Sequence, residues 1–270
     1  LPVRDPDILA HDFKILSQAV REAGALALTY FGKPLEIKEK TGSQGPVTNA
    51  DLAVNDLLCE ALLGARPDYG WLSEESPDGP ERWSKSHVWI IDPIDGTRGF
   101  IKSKPDFTIS AALAISGRIV LSVIYAPAHE AFYSAVLGAG AQLNGAAMKS
   151  APTVNLDEAR VLGAKTLYRH ANWREAWPEM VIENRPSIAY RMALVASGAY
   201  DLTISLGRTH EWDIAAGTLL LSESGAHVSD HLGQPLTFNR PVPSLPSMLA
   251  CAPGLAGDVL KRTASIKLPG

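Results

Sequence analysis

Apolar residues along the chain follow first one period and then another. Leu9, Phe13, Leu16, Val20, Ala23, Ala27 and Tyr30 recur at spacings of three and four, which predicts an amphipathic helix stopped by Gly32 and Pro34. A polar glycine-bearing loop, T-G-S-Q-G, then leads to V-T-N-A-D-L-A-V-N-D-L-L-C-E-A-L-L-G, where Thr48 or Asn49 can cap a second helix and Asp51 falls in its first turn. Strand-like runs follow: G-W-L-S, V-W-I-I, F-T-I-S-A-A-L-A-I, R-I-V-L-S-V-I-Y and A-F-Y-S-A-V. Ser116-Gly117-Arg118 reads as a tight turn, so the third and fourth of these runs pair antiparallel in a meander. From about residue 150 strands alternate with helices: R-V-L-G-A, then the helix S-I-A-Y-R-M-A-L-V-A-S-G, then Y-D-L-T-I-S, then the helix W-D-I-A-A-G-T-L-L-L-S-E-S-G. H-V-S-D and S-M-L-A-C-A read as further strands and L-A-G-D-V-L-K-R as a last helix, a texture that predicts a mixed or parallel sheet. Two packed halves are expected, an α+β domain over 1–150 and an α/β domain over 151–270.

Composition narrows the function classes. Nearly half of the 270 residues are apolar, and neither a membrane-length apolar run nor a basic tract occurs. A formal charge of -4 argues against binding nucleic acid through its phosphates. Cys59 and Cys251 lack metal-ligand spacing and read as reduced core residues, and the first ten residues lack a signal-peptide apolar stretch, so a cytoplasmic protein is expected.

The chemistry concentrates where apolar runs meet acids. The run 88–91 leads into Asp92-Pro93-Ile94-Asp95-Gly96-Thr97. Asp92, Asp95 and the Ile94 carbonyl offer oxygen ligands to a hard cation such as Mg²⁺, and the two carboxylates repel each other if unpaired. Taken alone the segment is equally well an acidic turn that caps the next helix. Two further stretches shift the balance: Trp71-Leu72-Ser73-Glu74-Glu75-Ser76 places acids directly after an apolar run, and Trp212-Asp213 places one at a helix start.

W-L-S-E-E-S, W-I-I-D-P-I-D-G-T and W-D-I-A-A-G, in this order and preceded by V-T-N-A-D, resemble the signature segments of the inositol monophosphatase superfamily. The resemblance implies a layered αβαβα sandwich, antiparallel in the first half and mixed in the second, and a magnesium-dependent, lithium-sensitive phosphomonoesterase that forms a homodimer. It implies Glu74, Asp92, Asp95, the Ile94 carbonyl and Asp213 as ligands of two or three Mg²⁺ ions, with Mn²⁺ as a substitute and Li⁺ as an inhibitor. Asp51 and Thr97, with Glu74, would orient and deprotonate the attacking water, and the N–H groups of Gly96 and Thr97 would hold the phosphate beside Ile94 and Asp95. Glu75 is as well read as an acid behind the site or on the surface. The physical logic agrees, because a phosphate monoester dianion repels an attacking hydroxide unless positive charge lies beside it.

For the substrate, inositol-specific members carry an acid seven residues before the W-D aspartate, and Leu206 stands there in this chain. The string G-R-T-H-E-W-D-I-A-A-G over 207–217 is more similar to the 3′(2′),5′-bisphosphate nucleotidase branch. Arg191 stands where that branch carries a lysine and is expected to take a second phosphate, with Glu211 as a further substrate contact. D-G-T-R-G-F and S-I-A-Y-R depart from the branch, and Arg98 faces either substrate or solvent. His210 is expected to pack locally and Trp89 and Trp212 to lie in the core. The expected partner is thus a small phosphate monoester: 3′-phosphoadenosine 5′-phosphate first, inositol monophosphate as runner-up, a sugar phosphate third. A non-catalytic regulatory binding protein on the same fold is the alternative of another class.

Overall fold

The period-3.6 stretch at the start of the chain forms a helix that packs on the strands following residue 107, and the continuous apolar run at 88–91 forms a strand of the same sheet, covered by the second helix. The computed structural model describes residues 6–40, 45–169 and 173–268. In chain order the elements are α1 (Pro6–Tyr30), β1 (Ile37–Glu39), β2 (Pro46–Thr48), α2 (Asn49–Ala65), β3 (Gly70–Ser73), β4 (His87–Asp95), α3 (Thr97–Ile101), β5 (Thr108–Ile115), β6 (Arg118–Ala126) and β7 (Ala131–Val136). They continue with β8 (Gly140–Leu143), β9 (Ala146–Met148), β10 (Arg160–Leu162), α4 (Lys165–Tyr168), β11 (Val181–Glu183), α5 (Ile188–Ala196), β12 (Leu202–His210), α6 (Glu211–Ser224), β13 (His227–Ser229), β14 (Ser244–Cys251) and α7 (Ala256–Thr263). Of the T-G-S-Q-G loop, residues 41–44 lie outside the described residues, as does the segment before Pro6.

Strand β4 shows why the layers alternate. Val88 and Ile90 point into one apolar cluster with α5 and α6, while Trp89 and Ile91 point into another with α1 and α2. A strand covered on both faces needs apolar residues at every position, which is what V-W-I-I supplies. The seven-stranded sheet β3-β4-β5-β6-β7-β8-β9 therefore lies between α1/α2 and α5/α6, and the five-stranded sheet β11-β10-β12-β14-β13 lies between α5/α6 and a third cluster. That third cluster joins Val161, Ile204, Leu249 and Cys251 of the sheet to Tyr168 of α4 and Val259 of α7. The result is the αβαβα sandwich. Because α5 and α6 share one cluster with β4–β8, a boundary at residue 150 falls between the sheets and not between their cores.

Three features differ from the pattern read in the sequence. β4 does not end at Ile91 but runs to Asp95, with a register shift against β5 between Asp92 and Asp95. The first sheet is not wholly antiparallel, since β3 runs parallel to β4; the chain between them is long enough for the crossover that a parallel pair needs. The stretch L-E-I-K-E-K carries β1, which pairs antiparallel with β2. The second sheet is mixed as expected, with β10 parallel to β11 and β12 and β14 antiparallel to β12 and β13. Ser116 and Gly117 both adopt positive φ, 49° and 77°, in the β5–β6 turn. Among the described residues no helix is long and apolar enough to cross a membrane.

Candidate active site

The site is assembled at element ends. Asp51 is the third residue of α2 and closes a capping box: its Oδ2 accepts the Thr48 N–H at 2.8 Å while the Thr48 hydroxyl caps the helix. Its other oxygen, Oδ1, lies 3.1 Å from Thr97 Oγ1, which is also 3.0 Å from the Ile94 carbonyl oxygen. Burial raises the Asp51 pKa against these hydrogen bonds. Gly96, between β4 and α3, has φ +97°, and a Cβ there would meet the Asp106 carbonyl oxygen and the Ser187 nitrogen at 3.3 Å. Only glycine fits that turn without strain, and the turn brings Thr97 back over the strand end.

Asp92 and Asp95 lie within β4 and meet different surroundings. Asp95 Oδ2 accepts the Ser187 hydroxyl at 2.7 Å and the Ala189 N–H at 2.6 Å, which ties β4 to the first turn of α5. Burial still pushes its pKa up to about 6. Asp92 is 1 % exposed, and neither of its carboxylate oxygens has a hydrogen-bond partner among the described residues. Burial, followed by the charges of Glu74 and Asp95, holds its pKa well above the usual carboxylate range. Asp213, the third residue of α6, accepts the His210 N–H at 3.0 Å and keeps only 16 % of its side chain exposed. Burial, then Asp95 and Glu74, raises its pKa well above the ordinary value.

Glu74 follows β3 directly, its N–H bonded to the Ile91 carbonyl of β4 at 3.2 Å. One carboxylate oxygen each from Glu74, Asp92 and Asp213 lie within 4.8 Å of one another. These acids and Asp95 line a cavity of 390 Å³ with Thr97, Arg98, His210 and Trp212 on its walls. A buried carboxylate with two unpartnered oxygens is costly unless a cation completes it, and an all-oxygen set suits a hard divalent ion. The residues present therefore fit Mg²⁺.

Not every sequence-predicted residue reaches the cavity. Glu211 does not: it is fully buried, and its two oxygens accept the N–H groups of Asn239 and Arg240 at 2.7 and 2.9 Å, so it anchors the chain before β14 instead of meeting substrate. Arg191 is also absent from the cavity lining, and its Nε donates to the Ser187 carbonyl at 3.3 Å behind Asp95. Burial lowers its pKa against the pull of Asp95. Arg98 is exposed and lines the cavity. Trp212 is half-buried: it packs against the apolar cluster of α5 and α6 and also lines the cavity, stacked on His210 with centroids 4.7 Å apart and planes 7° from parallel. Trp89 is fully buried.

Sequence reasoning missed Lys40. Its Nζ reaches Glu74 at 2.8 Å and Glu75 at 2.6 Å from the β1–β2 hairpin. Burial opposes its charge, but the two carboxylates outweigh it and raise its pKa, while burial takes Glu75 up to about 7. Asn55 was missed too: its Oδ1 accepts the Ser73 hydroxyl at 2.7 Å and its Nδ2 donates to Ser76 Oγ at 3.2 Å, bracing the turn that carries Glu74. Nothing local in I-K-E-K marks Lys40, whereas Ser187 before α5 had the ordinary signal of an N-cap.

Comparison with known proteins shows the family of this chain and its fold. The chain is 34% identical over 226 residues to the 3′(2′),5′-bisphosphate nucleotidase CysQ of Escherichia coli strain K12, covering 82% of this chain and 91% of that protein. It is 35% identical to an inositol-1-monophosphatase of Mesorhizobium japonicum (80% and 84% covered) and 32% identical to the Nus factor SuhB of E. coli (81% and 85% covered). Its fold superposes on the inositol monophosphatase of Thermotoga maritima with a TM-score of 0.80 and 27% identity, over 94% of this chain and 96% of that one. With residues 9–263 matching the model of that family and the four acids converging on one cavity, the chain belongs to the inositol monophosphatase family.

Proposed function

We propose that this family phosphatase is magnesium-dependent and that its substrate is a small phosphate monoester, first 3′-phosphoadenosine 5′-phosphate. The observation that carries the metal reading is Asp92, buried with both oxygens unpartnered and one oxygen within 4.8 Å of those of Glu74 and Asp213. Glu74, Asp92 and Asp213, with Asp95 and the Ile94 carbonyl beside them, would hold the ions. When bound, Mg²⁺ supplies positive charge beside the phosphoryl oxygens and steadies the leaving oxygen.

The chain's own residues do the rest. Thr97 Oγ1 lies within hydrogen-bond distance of Asp51 Oδ1, so its lone pairs can orient a water toward phosphorus while Asp51 receives the proton. A raised Asp51 pKa suits a proton acceptor, because it holds the proton better than an ordinary aspartate. Gly96 and Thr97, on the cavity wall, are placed to meet phosphate oxygens through backbone N–H groups.

One feature favours the bisphosphate nucleotide over an inositol phosphate. Leu206 packs partly buried against the third apolar cluster and offers no acid to ring hydroxyls. Identity does not separate the two substrates, since the nucleotidase relative stands at 34% and the inositol-1-monophosphatase relative at 35%. Specificity constants for 3′-phosphoadenosine 5′-phosphate and inositol 1-phosphate, measured with Mg²⁺ and with added Li⁺, test the reading; a preference for inositol 1-phosphate overturns the substrate. A second reading, a regulatory binding protein, is favoured by the 32% likeness to a protein named Nus factor. Purified protein that releases no phosphate across a broad ester panel yet retains a macromolecular partner supports it.

A further inference from the structure

We infer that Arg208 takes a second anionic group, a phosphate, on the substrate whose reacting phosphate lies in the acidic cavity, an assignment that rests on the phosphatase reading above. A second chamber of 370 Å³ adjoins the first and shares Glu74, His210 and Trp212 with it, extending to Arg208 and Ser244. The pairing of β12 with β14 shifts register between Leu206 and Thr209, and Gly207 there has φ +129°. A bulge of this kind re-aims the side chain it carries, and it sits on the strand that delivers Asp213 at the start of α6.

The charges in this chamber are already spoken for, except one. Glu74 is paired with Lys40 at 2.8 Å, and Asp78 holds Arg82 at 2.6 and 2.8 Å. Arg208 is exposed, and its Nε donates to the neutral Ser244 Oγ at 3.1 Å; it makes no ion pair among the described residues. A guanidinium fork binds phosphate with two parallel hydrogen bonds and gains most where no carboxylate competes. The acidic cavity thus calls for cations and a phosphate between them, and its neighbour for an anion. The stacked His210 and Trp212 rings stand between the two, so an ester with two phosphates separated by a sugar spans them. Arg191, expected from sequence to fill this role, is enclosed beside Ser187 and lines neither chamber.

The test compares adenosine 3′,5′-bisphosphate with adenosine 3′-monophosphate, with Mg²⁺, for the wild type, Arg208→Met and Arg98→Met. Arg208→Met is expected to raise KM for the bisphosphate about 10- to 100-fold with a far smaller change in kcat, and to cut its advantage over the monophosphate by the same factor. Equal effects of Arg208→Met on both esters, no effect, or loss of that advantage in Arg98→Met instead, overturns the assignment. If the wild type hydrolyses neither ester, the substrate reading fails on its own. Calorimetric titration of the two nucleotides then reads the same discrimination without turnover: its loss in Arg208→Met sustains the assignment, and its persistence overturns it.

Discussion

Two acids at the start of α6 share one helical turn and have opposite fates. Glu211 is fully buried, and burial raises its pKa, but two backbone N–H groups meet its oxygens and, with Arg82 and Arg240 nearby, oppose that rise. Asp213, two residues on, faces Asp95 and Glu74 across the cavity, next to Asp92, whose oxygens have no partner. A buried carboxylate is expensive in either place. Glu211 has a donor at each oxygen and anchors backbone, whereas neither oxygen of Asp92 has one among the described residues, which is the place a cation would complete.

The sharpest test sets Asp92→Asn against Glu211→Ala. Asp92→Asn is expected to lower phosphate release about 10³-fold, several kcal/mol of transition-state stabilisation, while the metal-free protein melts no lower than the wild type. Glu211→Ala strands two N–H groups and is expected to cost about 3 kcal/mol whether or not magnesium is present, lowering Tm by roughly 6–12 °C. If both variants melt equally low without metal, Asp92 is structural and the contrast is gone.

The second test uses pH. Asp95 titrates at about 6 when folded, above its ordinary value, so its proton stabilises the folded state fully only below the ordinary aspartate range. That contribution is lost as pH rises through 6, and Asp92 and Asp213 shift in the same direction. Metal-free protein is thus expected to melt several degrees lower at pH 8 than at pH 5, and magnesium is expected to restore the loss at pH 8. A flat Tm across that range without metal overturns the account of the acids.

The smallest effect is expected of Ser187→Ala. It removes the hydroxyl that both caps α5 and donates to Asp95, leaving the Ala189 N–H in place. A loss of about 1–2 kcal/mol in denaturant unfolding is expected. A fall in magnesium affinity alongside it, measured by calorimetry, would show that the link between β4 and α5 also positions Asp95.

Much of this was legible in the residues themselves. The run V-W-I-I announced a strand covered on both faces, and β4 has an apolar cluster on each side. The misplacement of Glu211 was legible too, because residues two apart on a helix point roughly 200° from one another. If Asp213 faces the cavity, Glu211 must face away. Lys40 was not legible: its partner Glu74 lies 34 residues on, and nothing in a local pattern encodes that approach. The Ser187 cap could be read, but not its second role, since Asp95 is 92 residues back along the chain.

The order of its residues alone determined the helices and strands of this protein and the acids at their ends, because periodicity and capping are local, while the layered sandwich followed from the likeness of its acidic motifs to those of a family. Which acids stay unpartnered, which cation meets which anion, and that Arg208 rather than Arg191 lines a chamber were decided only by the packing of the layers. Those outcomes depend on distances between groups far apart in the chain, and the electrostatic cost of a buried charge is set by neighbours that only the folded molecule brings near.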